Sequence, residues 1–457
     1  MHREQEFVSS RGGAAARRSV LTLARLLLFL GLSLAAMPLT AAPFEKNFPK
    51  ETAIAAFDEA SVTHNRNLGD LYRTRGLPPP RLERVGVGGV ARFLLPGRTP
   101  DPYPANSAIL FYAMKDGQLT AWLIGSEGLK AAFRAPLDPA GLEQAIARLR
   151  LSLGVDGIAR SRAPVLRDPA PVADSPHGEA REEIRTLSRL LLPPPIVDGL
   201  QGVEHLLIVS NGAIATVPHA VLNAGRGKML IDRVSISVSA GLFDADQMIQ
   251  PWRGRQEYAG SLIVGDPVVP LDELWRSVPR LPGAQQEAEA LAQLVSAQPL
   301  LGAAARKDAV VPRMRNASLL YFAAHGVSDP RQPLTGGFLM LAGENTDRAY
   351  LRAREVQSMR LRASLAVLSA CQSGLGMVHD GGVIGLSRSF QKAGVPRVVM
   401  SLWSVSDEAT VALMGRFNRH ALDKTPAAAL RLAMLETRRD YPEPALWAPF
   451  VLFGTPR

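Results

Sequence analysis

The sequence predicts an α/β protein built on a mostly parallel sheet flanked by helices, with a small N-terminal α/β lobe. Three observations carry this. Short apolar runs recur throughout the chain beyond residue 200, longer amphipathic segments alternate with them, and most of the runs are apolar at successive positions rather than at every second one. A strand without polar alternation is covered on both faces, which is the habit of parallel sheets with helical crossovers.

The first element in chain order is a targeting segment. Arg17, Arg18 and Arg25 precede a mainly apolar run of 11 residues, Leu26 to Ala36, followed by Pro38 and the small residues Thr40-Ala41-Ala42. That length suits the core of a signal peptide and falls short of the roughly 20 residues that span a bilayer. Residues 1–41 are therefore expected to be a signal peptide cleaved near Ala41, which makes the protein periplasmic or secreted, with no stable membrane span after cleavage. An uncleaved tether is the alternative, and the Arg17-Arg18 pair leaves the Sec and twin-arginine routes both open.

Residues 42–105 are poorly defined. A short helical pattern from Thr52 to Ala60 gives way to Pro78-Pro79-Pro80, which bars regular structure. Residues 106–158 read as the small lobe: Ala108 to Met114 and Leu119 to Ile124 flank Lys115-Asp116-Gly117, a hairpin signature, and a helix follows from Gly141 to about Leu153. Residues 159–178 carry Pro164, Pro169, Pro171 and Pro176 among arginines and have no apolar period, so they form a linker or exposed loop.

Residues 179–457 form the main domain. Its expected strands are Leu206 to Val209, Val234 to Val238, Ser261 to Val264, Leu319 to Ala323, Leu365 to Ser369, Arg397 to Leu402 and Phe450 to Phe453. Its expected helices are Ala180 to Leu192, Ala284 to Val295, Gly382 to Ala393, Ser406 to Ala421 and Pro426 to Arg438; in the second, Ala288, Leu291, Leu294 and Val295 share one face.

Composition narrows the function. With 457 residues, 47% hydrophobic and 21% charged, the chain is globular and long enough for one large domain and a smaller one. Five Arg and two Glu in residues 1–41 supply +3 of the net charge of +10. The remainder is spread along the chain without a basic run interleaved with aromatics, so nucleic acid is not an expected partner. An exported chain ordinarily pairs its cysteines, yet this one has Cys371 alone.

Two expected strands end in reactive residues. Leu319 to Ala324 runs into His325-Gly326, and Leu365 to Ala370 runs into Cys371-Gln372-Ser373-Gly374. Active sites of open parallel sheets lie beyond the carboxyl ends of the strands, so neighbouring strands would bring this His and Cys together. An imidazole beside a thiol takes its proton and returns it to a leaving amine. The backbone N–H groups of Gly326 and Cys371 are the candidate oxyanion donors. There is no G-x-S-x-G elbow, no H-E-x-x-H, no P-loop and no cysteine cluster for zinc.

The segments Tyr321-Phe322-Ala323-Ala324-His325-Gly326, Leu368 to Gly374, Gly385 to Phe390 with Ala393-Gly394, Ser401 to Thr410 and Trp447 to Gly454 resemble the CHAT domain. So do the earlier Val217 to Leu222 and Gly265-Asp266-Pro267. The resemblance runs from about Asn106 to the C-terminus. It implies a caspase-like fold related to separases and legumains, a Cys371/His325 dyad, and hydrolysis of a protein or peptide substrate through a thioacyl enzyme without a metal or organic cofactor. Leu402 to Asp407 looks like the separase segment that carries an acidic specificity residue. By that likeness Asp407 pairs with a substrate Arg or Lys, Trp403 lies beside it as a substrate-binding residue, and Asp266 is a second pocket candidate. Ser406-Asp407-Glu408 equally reads as the opening of a helix, and Asp266-Pro267 as a structural turn. CHAT domains commonly follow tetratricopeptide repeats, for which this sequence shows no pattern.

A catalytically silent caspase-like scaffold is the competing reading, and a transferase using the same thioacyl intermediate is a third. Oligomeric state is not legible.

Overall fold

A computed structural model describes residues 48–74, 86–95, 103–153, 177–210, 212–242, 252–270, 278–327, 337–370, 377–379, 382–403 and 407–456. All belong to one compact unit, Ala41–Arg457. The leader, the core of the Pro-rich linker and Cys371 lie outside the described residues.

The strands, in chain order, are β1 (Ser107–Lys115), β2 (Gln118–Gly125), β3 (Gly128–Pro136), β4 (His205–Val209), β5 (Ser235–Ser239), β6 (Ser261–Gly265), β7 (Leu300–Leu301), β8 (Leu319–Ala323), β9 (Gly326–Val327), β10 (Phe338–Met340), β11 (Tyr350–Arg352), β12 (Leu365–Ser369), β13 (Met377–His379), β14 (Gly382–Ile384), β15 (Arg397–Ser401) and β16 (Phe450–Gly454). Eleven of them form one sheet in the order β3-β2-β1-β4-β5-β16-β15-β12-β8-β6-β7. Neighbours run parallel except at β3–β2, β2–β1 and β16–β15. The α/β class and the mostly parallel sheet expected from the apolar runs are what the chain adopts.

Helices cover both faces. Tyr321 and Phe322 are consecutive on β8, so they project to opposite sides. Tyr321 meets Glu287 of the helix Pro282–Val295, whereas Phe322 packs against Phe390 of the helix Leu386–Lys392 with ring centroids 6.0 Å apart. β4, β5, β8, β12 and β15 are buried at every position, the serines of β5 and Arg397 of β15 included, as strands between two helical layers are.

The N-terminal hairpin forms as its turn residues require: Asp116 and Gly117 have φ of 51° and 69°, the two positive values of a type I′ turn. Its strand β1 then pairs in parallel with β4, from Ser107↔His205 to Phe111↔Val209. The hairpin and β3 therefore extend the main sheet. The stretch before it holds a helix over Lys50–Thr74, much longer than Thr52 to Ala60. Phe57 meets Phe111 and Trp122 edge-on, and the Trp122 indole N–H donates to the Ala53 carbonyl at 2.7 Å, so burial against β1 and β2 carries the helix past its weak local pattern.

One expected helix is shorter than its pattern. Gly382–Ile384 is β14, paired with β13, and the helix is confined to Leu386–Lys392. Glycine and β-branched residues at 382–384 favour extended backbone over helix. Among the described residues no helix is long and apolar enough to cross a membrane.

Candidate active site

β6, β8, β12 and β15 are parallel neighbours whose carboxyl ends share one edge. Ala323 of β8 stands in register with Gly265 of β6 and with Ser369 of β12. Asp266 follows its registered residue by one position; His325 and Cys371 each follow theirs by two. β12 ends at Ser369, and Ala370 is the last described residue before Cys371. That exit is held on several sides: Ser401 Oγ donates to the Ala370 carbonyl at 2.6 Å, Ser369 Oγ donates to Glu287 Oε2 at 3.1 Å, and the Ala324 amide donates to the Ser369 carbonyl at 3.4 Å.

His325 is 2% exposed, and its Nε2 lies 2.8 Å from the carbonyl of Pro279. A carbonyl only accepts, so Nε2 carries the proton and the lone pair of the neutral ring belongs to Nδ1. A base acting through this imidazole acts through Nδ1. The carbonyl of His325 accepts from the Met340 amide at 2.9 Å, and Gly326, the other oxyanion candidate, starts β9, which pairs with β10 at Leu339. The ring is thus oriented by one loop and its backbone by a small second sheet.

The loop matters beyond His325. Pro279-Arg280-Leu281-Pro282-Gly283 is gripped by three of the residues singled out from the sequence. Asp266, buried at the exit of β6, accepts from the Leu281 amide at 2.8 Å and forms an ion pair with the Arg280 guanidinium at 2.6 Å. The contact to Asp266 holds Arg280 protonated more tightly than its ordinary value. Asp407 accepts from the Gly283 amide at 2.6 Å. Gly283 lies in the first turn of the helix Pro282–Val295, where amides lack intrahelical partners, and a Cβ there would collide with the Asp407 carboxylate. Asp407 also begins its own helix, Asp407–Ala421, and its carboxylate accepts from the first turn of the neighbouring one.

Trp403, expected beside the substrate, is instead a core residue. It is 1% exposed and its indole N–H donates to the Ala445 carbonyl at 2.9 Å, so its surface is committed to packing. Beneath the strand exits lies a polar cluster that sequence reasoning missed. Tyr321 OH donates to Glu287 Oε1 at 2.7 Å and accepts from Asn418 Nδ2 at 3.1 Å, and burial, with the Glu287 carboxylate adding to it, keeps the phenol protonated. The signal was present: Glu287 falls on the same helical face as Ala284, Ala288 and Leu291, where a carboxylate is out of place. Among the described residues no group of His, Cys, Asp and Glu is arranged to hold a metal ion.

Comparisons with known proteins extend these observations. The CHAT domain model matches residues 181–455. Tetratricopeptide repeat protein 28 of Homo sapiens is 25% identical over 330 residues, which is 60% of this chain and 13% of that protein. Its Mus musculus counterpart is 25% identical over 230 residues, 42% of this chain and 9% of the relative. This chain therefore spans only a small part of the length of the curated relatives it matches. Among solved structures, the Saccharomyces cerevisiae separase–securin complex is similar with a TM-score of 0.48 and 11% identity, over 77% of this chain and 30% of that one. The Porphyromonas gingivalis RgpB pro- and mature domain complex gives 0.39 and 13%, over 69% and 76% of the two chains.

Proposed function

Because the chain belongs to the CHAT domain family, matched over residues 181–455, we propose that it is a cysteine endopeptidase with Cys371 as nucleophile and His325 as its acid/base partner. One observation carries the reading: Ala323 and Ser369, a registered pair on two neighbouring parallel strands, are each followed two residues later in the sequence by a reactive residue, His325 and Cys371. A dyad needs two reactive residues that follow neighbouring strand ends, and the Pro279 contact leaves Nδ1 of His325 as the basic nitrogen.

In the proposed reaction Nδ1 takes the thiol proton and the sulfur attacks the scissile carbonyl carbon. The resulting oxyanion is met by the backbone N–H groups of Gly326 and Cys371. Collapse breaks the C–N bond, and the amine leaves with the proton from Nδ1. Water, deprotonated by the same nitrogen, then attacks the thioester, releasing the acid and restoring the thiol. No step draws on a metal or organic cofactor.

A basic residue before the scissile bond is the proposed preference. Of the two candidate carboxylates, Asp266 is favoured, because it already holds a guanidinium, that of Arg280, whose side chain is 57% exposed. Asp407 is committed to the Gly283 amide. A substrate arginine would replace Arg280 on Asp266 without leaving the carboxylate bare. Export through the N-terminal leader is part of the same proposal, with a protein or peptide outside the cytoplasm as substrate.

The test is labelling with an arginyl peptide chloromethyl ketone. The reading expects one adduct on Cys371, lost in His325→Ala. A folded chain that takes no adduct counts against it and in favour of a catalytically silent scaffold.

A further inference from the structure

The polar cluster beneath the strand exits is not used by the proposed chemistry, yet it is built from parts that are costly to bury. Glu287, Tyr321, Ser369 and Asn418 are each 2% exposed or less. A carboxylate in a protein interior is tolerated only where donors satisfy it, and an apolar side chain would serve packing better. At position 287 the donors come from two different strands: Tyr321 OH of β8 at 2.7 Å and Ser369 Oγ of β12 at 3.1 Å. Tyr321 is four residues before His325, and Ser369 is two before Cys371.

The helix bearing Glu287 has a second hold on the site. Its lead-in, Pro279 to Gly283, supplies the carbonyl that orients His325. One rigid helix is therefore joined to the imidazole, to the strand that carries it, and to the strand that leads to the thiol. We infer that Glu287 is a positioning residue, which fixes the relative placement of the β8 and β12 exits and thereby the approach of His325 to Cys371. Asn418 completes the arrangement by donating to Tyr321 OH, so that the phenol turns its own proton toward Glu287. A glutamine can keep most of this, with its carbonyl toward Tyr321 and its amide toward the Ser369 oxygen; an alanine keeps none.

The inference rests on the dyad reading, and the measurement separates the two. Cys371 is the chain's single cysteine, so its alkylation by iodoacetamide at neutral pH reports thiolate formation without any knowledge of the substrate. Small displacements of reacting groups are expensive, so Glu287→Ala is expected to slow alkylation about tenfold and Ser369→Ala about threefold, with Glu287→Gln staying within about twofold of the unaltered chain. With any peptide that is cleaved, kcat falls with KM unchanged in the alanine variants. His325→Ala sets the scale: if it leaves alkylation unchanged, the dyad itself is wrong. If His325→Ala slows alkylation while Glu287→Ala and Ser369→Ala do not, positioning by Glu287 is overturned. Should Glu287→Ala fail to fold, Ser369→Ala, which removes a single oxygen, decides the matter.

Discussion

Nε2 of His325 donates to the carbonyl of Pro279 across 2.8 Å, joining the exit of β8 to the loop that opens the helix Pro282–Val295. The bond does two things. It selects the tautomer whose basic nitrogen is Nδ1, and it makes the imidazole's orientation depend on a loop that Asp266 and Asp407 also hold. Acid–base competence is thereby tied to the geometry of five residues with no reactive group among them.

Crowding at Gly283 puts that dependence to the test. Gly283→Ala sets a methyl group against the Asp407 carboxylate, and overpacking of this kind costs about 1–3 kcal/mol. Urea unfolding is expected to register that loss. Alkylation of Cys371 should slow in parallel, because Pro279 moves with the displaced loop.

The two carboxylates are predicted to separate by readout. Asp266→Asn should lower the ratio of kcat/KM for arginyl over neutral peptides by about tenfold or more, since the charge that pairs with a guanidinium is gone. Asp407→Asn should leave that ratio nearly unchanged and instead reduce stability by about 1–2 kcal/mol, through a weaker acceptor for the Gly283 amide. The reverse assignment would follow if Asp407→Asn alone erased the preference.

Buried histidines make the fold sensitive to acid. Burial depresses His205 to about 3 and His219 to about 4, and lowers His64 as well. His205 sits between the hydroxyls of Ser235 and Ser237, at 3.0 Å from each. Folded-state values below the unfolded value near 6.5 mean that the unfolded chain binds protons first. Their contribution to stability is thus complete above about pH 6.5 and is lost as pH falls toward 3–4. For His205 and His219 the loss reaches about 2 kcal/mol each at pH 5. Urea midpoints measured from pH 7 to pH 5 should fall accordingly, and should fall less in His205→Gln.

Trp403→Phe removes the indole hydrogen bond to Ala445 and the buried contacts of the larger ring. A loss of about 2–3 kcal/mol is expected in unfolding experiments. Cleavage-site preference should be unaltered; a changed preference would return Trp403 to the substrate's vicinity.

The strands at the heart of the site were legible in the sequence because burial on both faces leaves only apolar residues: Leu319–Ala323 and Leu365–Ser369 have the bounds their apolar runs gave. His325 stood out as the polar residue that ends such a run. Other parts were hidden for physical reasons. Pro279 to Gly283 has no period, and apart from the Arg280 side chain it acts through backbone carbonyl and amide groups, which carry no side-chain signature. Trp403 looked like a pocket wall because only tertiary packing, with Ala445 far along the chain, commits it to the core. Glu287 was legible in principle as the one acid on an apolar face, but its two donors come from strands distant in sequence. The continuity of β1–β3 with the main sheet likewise rests on the long-range pairing of β1 with β4, which local pattern does not reveal.

The most direct measurement incubates the chain from residue 42 onward with a mixed peptide library, beside its Cys371→Ala and His325→Ala variants, and reads cleavage sites by mass spectrometry. The account predicts cleavage by the unaltered chain, concentrated after basic residues and absent from both variants. Cleavage that persists in Cys371→Ala, or a folded chain that cleaves nothing and whose thiol is no more reactive than a free cysteine, would contradict it.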